Sequence, residues 1–376
     1  MTVMDPKKAA FTKILLKWHK TRNFREMPWK GEKDPYKIWL SEVILQQTRV
    51  EQGWAYYEKF LTAFPTVRDL AAAPEKKVFK LWEGLGYYNR CRNLIATAKK
   101  IDTEYKGRFP SVYEEILALK GIGPYTAAAI ASFAFNLPHA VVDGNVTRVL
   151  ARYFGIPTPI DTTAGKKQFT RLADTLLDPR QAGIYNQAIM DFGATVCTPR
   201  NPLCVSCIQQ VNCVARQKGL TDQLPVKEKS ILKKQRYLYY FVVESPGDKK
   251  TPGDKVYIRQ RTAKDIWEGL YEFILFETND TTGPEDALQS DFIRQLFEGQ
   301  PLTVRYISRI YRQELSHQTL QGQFITVRLK RALPGNKTLP GLKDYLLVPR
   351  SALTEYAFPK FINAWLLDPT PAQSLF

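Results

Sequence analysis

Two carboxylates, about a hundred residues apart, have the surroundings that acid-assisted bond cleavage needs. Glu42 lies in EKDPYKIWLSEVILQQTRV, Glu32 to Val50. Asp34 and Pro35 suit the N-cap and first-turn positions of a helix, which puts Ile38, Glu42 and Leu45 on one face. A carboxyl among aliphatic neighbours loses hydration, so its charged form is disfavoured and its pKa rises toward neutrality, as a general acid requires. Asp143 follows Ala140, Val141 and Val142 and precedes GNVTRVLARYF, whose Val146, Val149, Leu150 and Tyr153 have helical spacing. It reads as the N-cap of that helix, where backbone donors and the positive end of the dipole keep a carboxylate ionised. One protonated and one ionised acid can divide the labour of a bond cleavage: the first protonates a leaving group, and the second stabilises the positive charge that develops opposite it.

Four of the five cysteines crowd into CTPRNPLCVSCIQQVNC as Cys197, Cys204, Cys207 and Cys213, spaced C-x6-C-x2-C-x5-C. The odd total and the size of the chain disfavour a disulfide framework. Four thiolates close around zinc or around an iron–sulfur cubane, and the spacing leaves that choice open. A loop pinned in this way presents Arg200, with Arg216 and Lys218 nearby, to phosphates. Cys91 stands alone and has no assigned role.

Elements must hold these groups in place. In PSVYEEILALKGIGPYTAAAI, Ser111 and Glu114 read as a capping box for a helix running through Leu119, and Pro124 suits the first turn of the next helix. Gly121 and Gly123 between them permit a tight turn with positive φ. They leave the N–H groups of the second helix bare for a phosphate oxygen, although an ordinary helix hairpin needs glycine as well.

The chain has 376 residues, 44% of them hydrophobic and 12% aromatic, enough for two packed cores. Its formal net charge of +17 points to a polyanionic partner. The N-terminal stretch is interrupted by charges, and no later apolar run reaches the length of a membrane span, so a cytoplasmic protein without a targeting segment or membrane partner is expected. From Phe11 to about Gly219 the pattern is helical. A polar, lysine-rich linker follows over 221–235, and then β-like runs such as RYLYYFVVE, KVYIRQR and FITVRLKRAL, with loops at SPGDKKTPGDK and ETNDTTGPED, give an α+β domain over 236–376.

LKGIGPYTAAAI and VVDGNVTRVL resemble the helix-hairpin-helix and the aspartate motif of the base-excision DNA glycosylases. The resemblance narrows to the MutY-type adenine DNA glycosylases through SEVILQQTRV, WEGLGYYNRCRNL, YNQAIMDFGA and the cysteine run, and it covers nearly the whole chain. It implies a mainly α, two-lobed glycosylase domain over 1–220, with a 4Fe-4S cluster held by the four cysteines in the loop 197–213. Adenine would be released from duplex DNA in which it pairs with 8-oxoguanine or guanine, by a monomeric enzyme. Carried over by position, Glu42 is the proton donor and Asp143 the charge stabiliser, with Tyr125 and Asn145 as its hydrogen-bonding neighbours. Trp29, Leu45 and Gln187 would line the adenine pocket. Gln47, Leu85 and Tyr87 would enter the duplex near the opposing base while adenine is turned outward. Gly121, Gly123 and Arg200 would hold the DNA backbone. In bifunctional members, which are similar to endonuclease III, a lysine occupies the position of Tyr125; a tyrosine there implies hydrolysis without lyase chemistry.

RTAKDIWEGLYEFI and the strands after it resemble the Nudix-like domain of the same family, a reader of 8-oxoguanine. No acidic helix of the Arg-Glu-x-x-Glu type follows Phe273, which argues against a magnesium-dependent pyrophosphatase. Ser316 and His317 match the family's lesion-recognition loop, and Leu315 replaces its usual phenylalanine. Two other readings compete with a monofunctional glycosylase. One is a bifunctional glycosylase-lyase using Lys120; the other is a non-catalytic iron–sulfur DNA-binding protein.

Overall fold

The computed structural model describes residues 6–228, 233–245, 254–298, 302–329 and 340–368. Within the expected linker, 229–232 lie outside the described residues, as do 246–253 of the SPGDKKTPGDK loop and 330–333 of the FITVRLKRAL run. Two compact units form: Met1–Ala73 with Arg92–Ser230, and Pro74–Cys91 with Ile231–Phe376. Pro74–Cys91, within the 1–220 expected for the helical domain, lies in the second of these units.

In chain order the helices ahead of the linker are α1 (Pro6–Arg22), α2 (Pro35–Leu45), α3 (Val50–Ala63), α4 (Val67–Ala72), α5 (Glu75–Trp82), α6 (Asn89–Glu104), α7 (Tyr113–Leu117), α8 (Pro124–Phe135), α9 (Gly144–Phe154), α10 (Thr163–Leu176), α11 (Ala182–Thr195) and α12 (Val214–Gln217). Among the described residues no helix is long and apolar enough to cross a membrane. Phe11 and Leu15 of α1, Val149 and Leu150 of α9, Phe169 of α10 and Phe192 of α11 close one core. Each such side chain contributes roughly 1.5–3 kcal/mol by leaving water.

Local signals set the elements that carry the site. Asp34 caps α2, its carboxylate accepting from the Tyr36 N–H at 2.9 Å, with Pro35 in the first turn. Asp143 caps α9 by accepting from the Val146 N–H at 2.7 Å. The expected capping box at Ser111 does not form. Val112 is the N-cap without a side-chain bond, so α7 begins one residue too late for the Ser111 hydroxyl to reach its first amides, and it stops at Leu117. Gly121 has φ +77° and its Cβ position lies 2.6 Å from Asn93 Cβ, so both conformation and space require glycine. Gly123 departs from expectation: as the N-cap of α8 it has φ −90°, ordinary extended backbone, with open space around it.

In the second unit β1 (Lys234–Ser245), β2 (Lys255–Gln260), β3 (Tyr271–Glu272), β4 (Ile274–Thr278), α13 (Pro284–Leu288), α14 (Asp291–Leu296), β5 (Leu302–Ile307), β6 (Tyr311–Glu314), β7 (Gln318–Leu329), β8 (Leu346–Pro349) and α15 (Lys360–Leu366) follow. The sheet runs β3-β2-β1-β7-β5, with β4 on β1, β6 on β7 and β8 on β2. Parallel β1 and β7 form its centre, from Lys234 opposite Gln318 to Glu244 opposite Arg328. Both faces of β1 are covered, so it reads as a nearly continuous apolar run. Tyr239, Phe241 and Val243 share a core with Ala287 of α13 and Ile293 of α14. On the other face Tyr240 stacks on Phe324, which stacks on Trp365 of α15 with ring centroids 4.7 Å apart.

Candidate active site

Helix α2 turns Glu42 inward, leaving it only 7% exposed. The Tyr125 hydroxyl, from the first turn of α8, is hydrogen-bonded to it. Both face a cleft of about 560 Å³, to which Asp143, the N-cap of α9, and Asn145, in the first turn of that helix, also contribute. That volume falls in the range of small-molecule sites. Ile38 and Leu45, on the same stripe of α2, form part of its wall, along with Trp29, Gln47 and Gln187. Trp29 is set by an edge-to-face contact with Tyr57 at 5.4 Å. Gln47 has φ 57°, in the left-handed region that non-glycine residues seldom occupy.

Burial raises the Glu42 carboxyl to about 7; the Tyr125 hydrogen bond opposes the rise and the nearby Asp143 charge adds to it. Burial also raises Asp143, against the expectation that its capping position alone would hold it fully ionised. The donors are present: the Val146 N–H at 2.7 Å, Asn145 Nδ2 at 2.7 Å, and the Arg148 charge. They restrain the rise without cancelling the loss of water. The two acids are thus shifted in the same direction and differ in how far each shift is opposed. Gly193 of α11 lets Asn145 approach, since a Cβ there would lie 2.7 Å from Asn145 Cβ. Arg148 Nη2 donates to Asn145 Oδ1 at 2.9 Å and to the Gly193 carbonyl at 2.6 Å, while its Nε donates to the Cys197 carbonyl at 2.8 Å.

A second charged cluster on the cleft was not anticipated from the sequence. Asp191 is fully buried and accepts from Arg25 Nη1 at 2.9 Å and Asn23 Nδ2 at 2.8 Å, with Lys30 Nζ at 3.4 Å. His19, Arg25 and Lys30 line the cleft. Burial, reinforced by the Lys30 charge, lowers the His19 pKa. The available signal was Asp191 itself, an acid between the apolar inward positions Ile189 and Phe192.

Cys197, Cys204, Cys207 and Cys213 line one cavity beside Val149, Phe192 and Leu203. The Cys207 thiol is pushed up to about 11, first by burial and further by the thiols of Cys197, Cys213 and Cys204. Arg152 Nη1 lies 3.5 Å from Cys197 Sγ. Among the described residues no group of three or more His, Cys, Asp or Glu side chains is arranged to hold a metal ion as it stands. Four thiols around one cavity could supply the donors of a thiolate-bound metal or cluster, and the Arg152 guanidinium beside them would offset its anionic charge.

Residues 40–174 match the HhH-GPD superfamily base excision DNA repair proteins, and residues 250–367 match the NUDIX domain. The adenine DNA glycosylase of Buchnera aphidicola subsp. Schizaphis graminum is 32% identical over 272 residues, covering 72% of this chain and 76% of the relative. The chain belongs to the adenine DNA glycosylase family. The human adenine DNA glycosylase is 42% identical over 224 residues, 57% of this chain and 41% of the human one. Among solved structures, a thermostable thymine-DNA glycosylase is 31% identical with a TM-score of 0.53, covering 56% of this chain and 97% of its own. As an adenine DNA glycosylase, the protein is a hydrolase of N-glycosyl bonds acting in base-excision repair.

For this glycosylase, the structure brings Glu42, Tyr125, Asp143, Asn145, Trp29, Leu45, Gln47 and Gln187 to one cleft. The hairpin residues Gly121 and Gly123 and the cysteine-loop residue Arg200 are exposed in the same compact unit. Leu85, Tyr87, Ser316 and His317 belong to the other unit. There Ser316 and His317 form the exposed turn between β6 and β7, closed by the Leu315 N–H donating to the Gln318 carbonyl at 2.8 Å. Tyr87 and Ser316 meet through their hydroxyls.

Proposed function

We propose that the enzyme hydrolyses the N-glycosidic bond of adenine paired with 8-oxoguanine or guanine in duplex DNA, acting as a monomer and without lyase chemistry. The observation that carries this reading is Glu42: a buried carboxyl titrating near 7, held by Tyr125, in the same cleft as Asp143. With adenine turned out of the duplex, Glu42 donates its proton to a ring nitrogen, so the base departs neutral as the bond to the sugar breaks. The cation left at the anomeric carbon is stabilised by Asp143, whose charge Asn145 and the Val146 N–H support. Water adds to that carbon and releases a proton, which restores the balance. Tyr125 has no amine to capture the sugar. A hairpin that exposes bare N–H groups at the start of α8 suits a phosphate, and Ser316 and His317 offer donors and acceptors to an oxidised purine edge.

Cys197, Cys204, Cys207 and Cys213 would hold a 4Fe-4S cluster. When bound, such a cluster supplies a rigid cross-link for the loop carrying Arg200; hydrolysis itself needs no electron. Iron and zinc analysis of the purified protein tests this assignment, and stoichiometric zinc without iron would overturn it.

Adenine release in single turnover, with 8-oxoguanine, guanine or thymine opposite, tests the main reading; release opposite the first two and little opposite thymine is expected. Borohydride trapping on a depurinated duplex tests for lyase chemistry, and efficient trapping lost in Lys120→Ala would contradict the monofunctional assignment.

A further inference from the structure

The loop Gly84–Tyr88 is organised from within. Gly84, Gly86 and Tyr87 all have positive φ, at 94°, 73° and 48°. Trp82 Nε1 donates to the Gly86 carbonyl at 3.0 Å, and Arg90 Nη2 donates to the same carbonyl at 3.2 Å and to that of Leu85 at 3.3 Å. A loop stiffened in this way moves as a block, so its anchorage decides where Leu85 and Tyr87 point.

That anchorage is Glu83, the residue that ends α5. Its carboxylate accepts from the Phe358 N–H at 2.8 Å and from Asn363 Nδ2 at 2.9 Å, and pairs with Lys80 Nζ at 2.6 Å. Lys80 in turn donates to the Tyr356 carbonyl at 3.0 Å. These groups lie 275 and more residues apart in the chain but within one compact unit. Lys80, Glu83, Phe358 and Asn363 also border a cavity of about 910 Å³. At the far side of the loop, Tyr87 meets Ser316.

We propose that Glu83 is a positioning residue that docks the Leu85–Tyr87 loop onto the C-terminal domain, so that Tyr87 and Ser316 address the opposing base as one head and discrimination between 8-oxoguanine and guanine depends on a residue that touches neither base. The inference rests on the glycosylase reading above. It assigns Glu83 no part in protonating adenine or stabilising the sugar, because Lys80, Phe358 and Asn363, which it bonds, belong to the second compact unit and Glu83 does not line the Glu42 cleft.

The test is single-turnover adenine release from duplexes with adenine opposite 8-oxoguanine or guanine, for wild type, Glu83→Ala, Glu83→Gln and Asn363→Ala. Glu83→Ala should lower the ratio of the two rates by about tenfold, the order expected when a charge-assisted hydrogen bond is lost. Glu83→Gln keeps an acceptor for the Phe358 N–H and should retain most of the ratio. Asn363→Ala, which leaves the loop sequence intact, should move it in the same direction as Glu83→Ala and serves if that variant does not fold. Equal slowing on both duplexes, or an unchanged ratio, would overturn the inference. Failure of the wild-type enzyme to release adenine from either duplex would instead overturn the glycosylase reading.

Discussion

The Tyr125 hydroxyl is hydrogen-bonded to the Glu42 carboxyl, joining the first turn of α8 to the inward face of α2. A lysine at that position would place a cation against Glu42 and pull its pKa down. A phenol leaves burial as the dominant influence and the acid able to carry its proton near neutral pH.

The rate of adenine release should therefore fall as pH rises through about 7, where Glu42 loses its proton. Above the inflection the single-turnover rate is expected to drop about tenfold per pH unit. A rate flat from pH 6 to pH 9 would remove Glu42 from the acid's role.

Stability should fall over the same pH range, because the charged form of Glu42 is the one that burial disfavours. The folded-state pKa of Glu42 is raised above the ordinary 4.5, so its stabilising contribution is full below pH 4.5 and is lost as pH rises through about 7. Glu42→Gln removes the titration and should stabilise the protein by up to about 3 kcal/mol above pH 7, with little change near pH 4. Denaturant unfolding of both proteins at pH 4.5 and pH 8 provides the check, and an equal difference at the two pH values would contradict it.

Asn145 donates to Asp143 at 2.7 Å and supports the charged form that burial disfavours. Asn145→Ala should raise the Asp143 pKa further and move the acid limb of the rate profile to higher pH, so that activity falls more at pH 6 than at pH 8. A uniform fall with an unmoved limb would mean that Asn145 acts on something other than the charge of Asp143.

The two hairpin glycines should separate. Gly121→Ala forces a Cβ to within 2.6 Å of Asn93 Cβ at φ +77°, at a cost of about 1–3 kcal/mol. Gly123→Ala meets open space at φ −90° and should cost less than about 1 kcal/mol. Thermal unfolding of the pair measures the difference, and similar losses would show that the turn is not set by Gly121.

What the sequence made readable was local. Asp34 with Pro35 announces α2 and therefore the inward position of Glu42, and Asp143 ahead of a helical apolar stripe announces its capping role. The β-branched and aromatic runs became β1, β2 and β7. What escaped depends on distant partners. The Ser111 cap missed because the helix start is set by where Val112 turns, one residue further on. The rise at Asp143 depends on how much protein covers it, which a capping rule does not count. Asp191 gathers Arg25 and Lys30 from a loop without periodicity. Pro74–Cys91 joins the second unit through Glu83 and Lys80, whose partners lie more than 270 residues away.

The most direct test of the central claim compares Glu42→Gln with wild type on a duplex carrying one adenine opposite 8-oxoguanine, measuring base release in single turnover and duplex affinity on the same preparations. Loss of release by at least about a hundredfold with affinity nearly unchanged is the expected result. Release by Glu42→Gln at the wild-type rate would contradict the account.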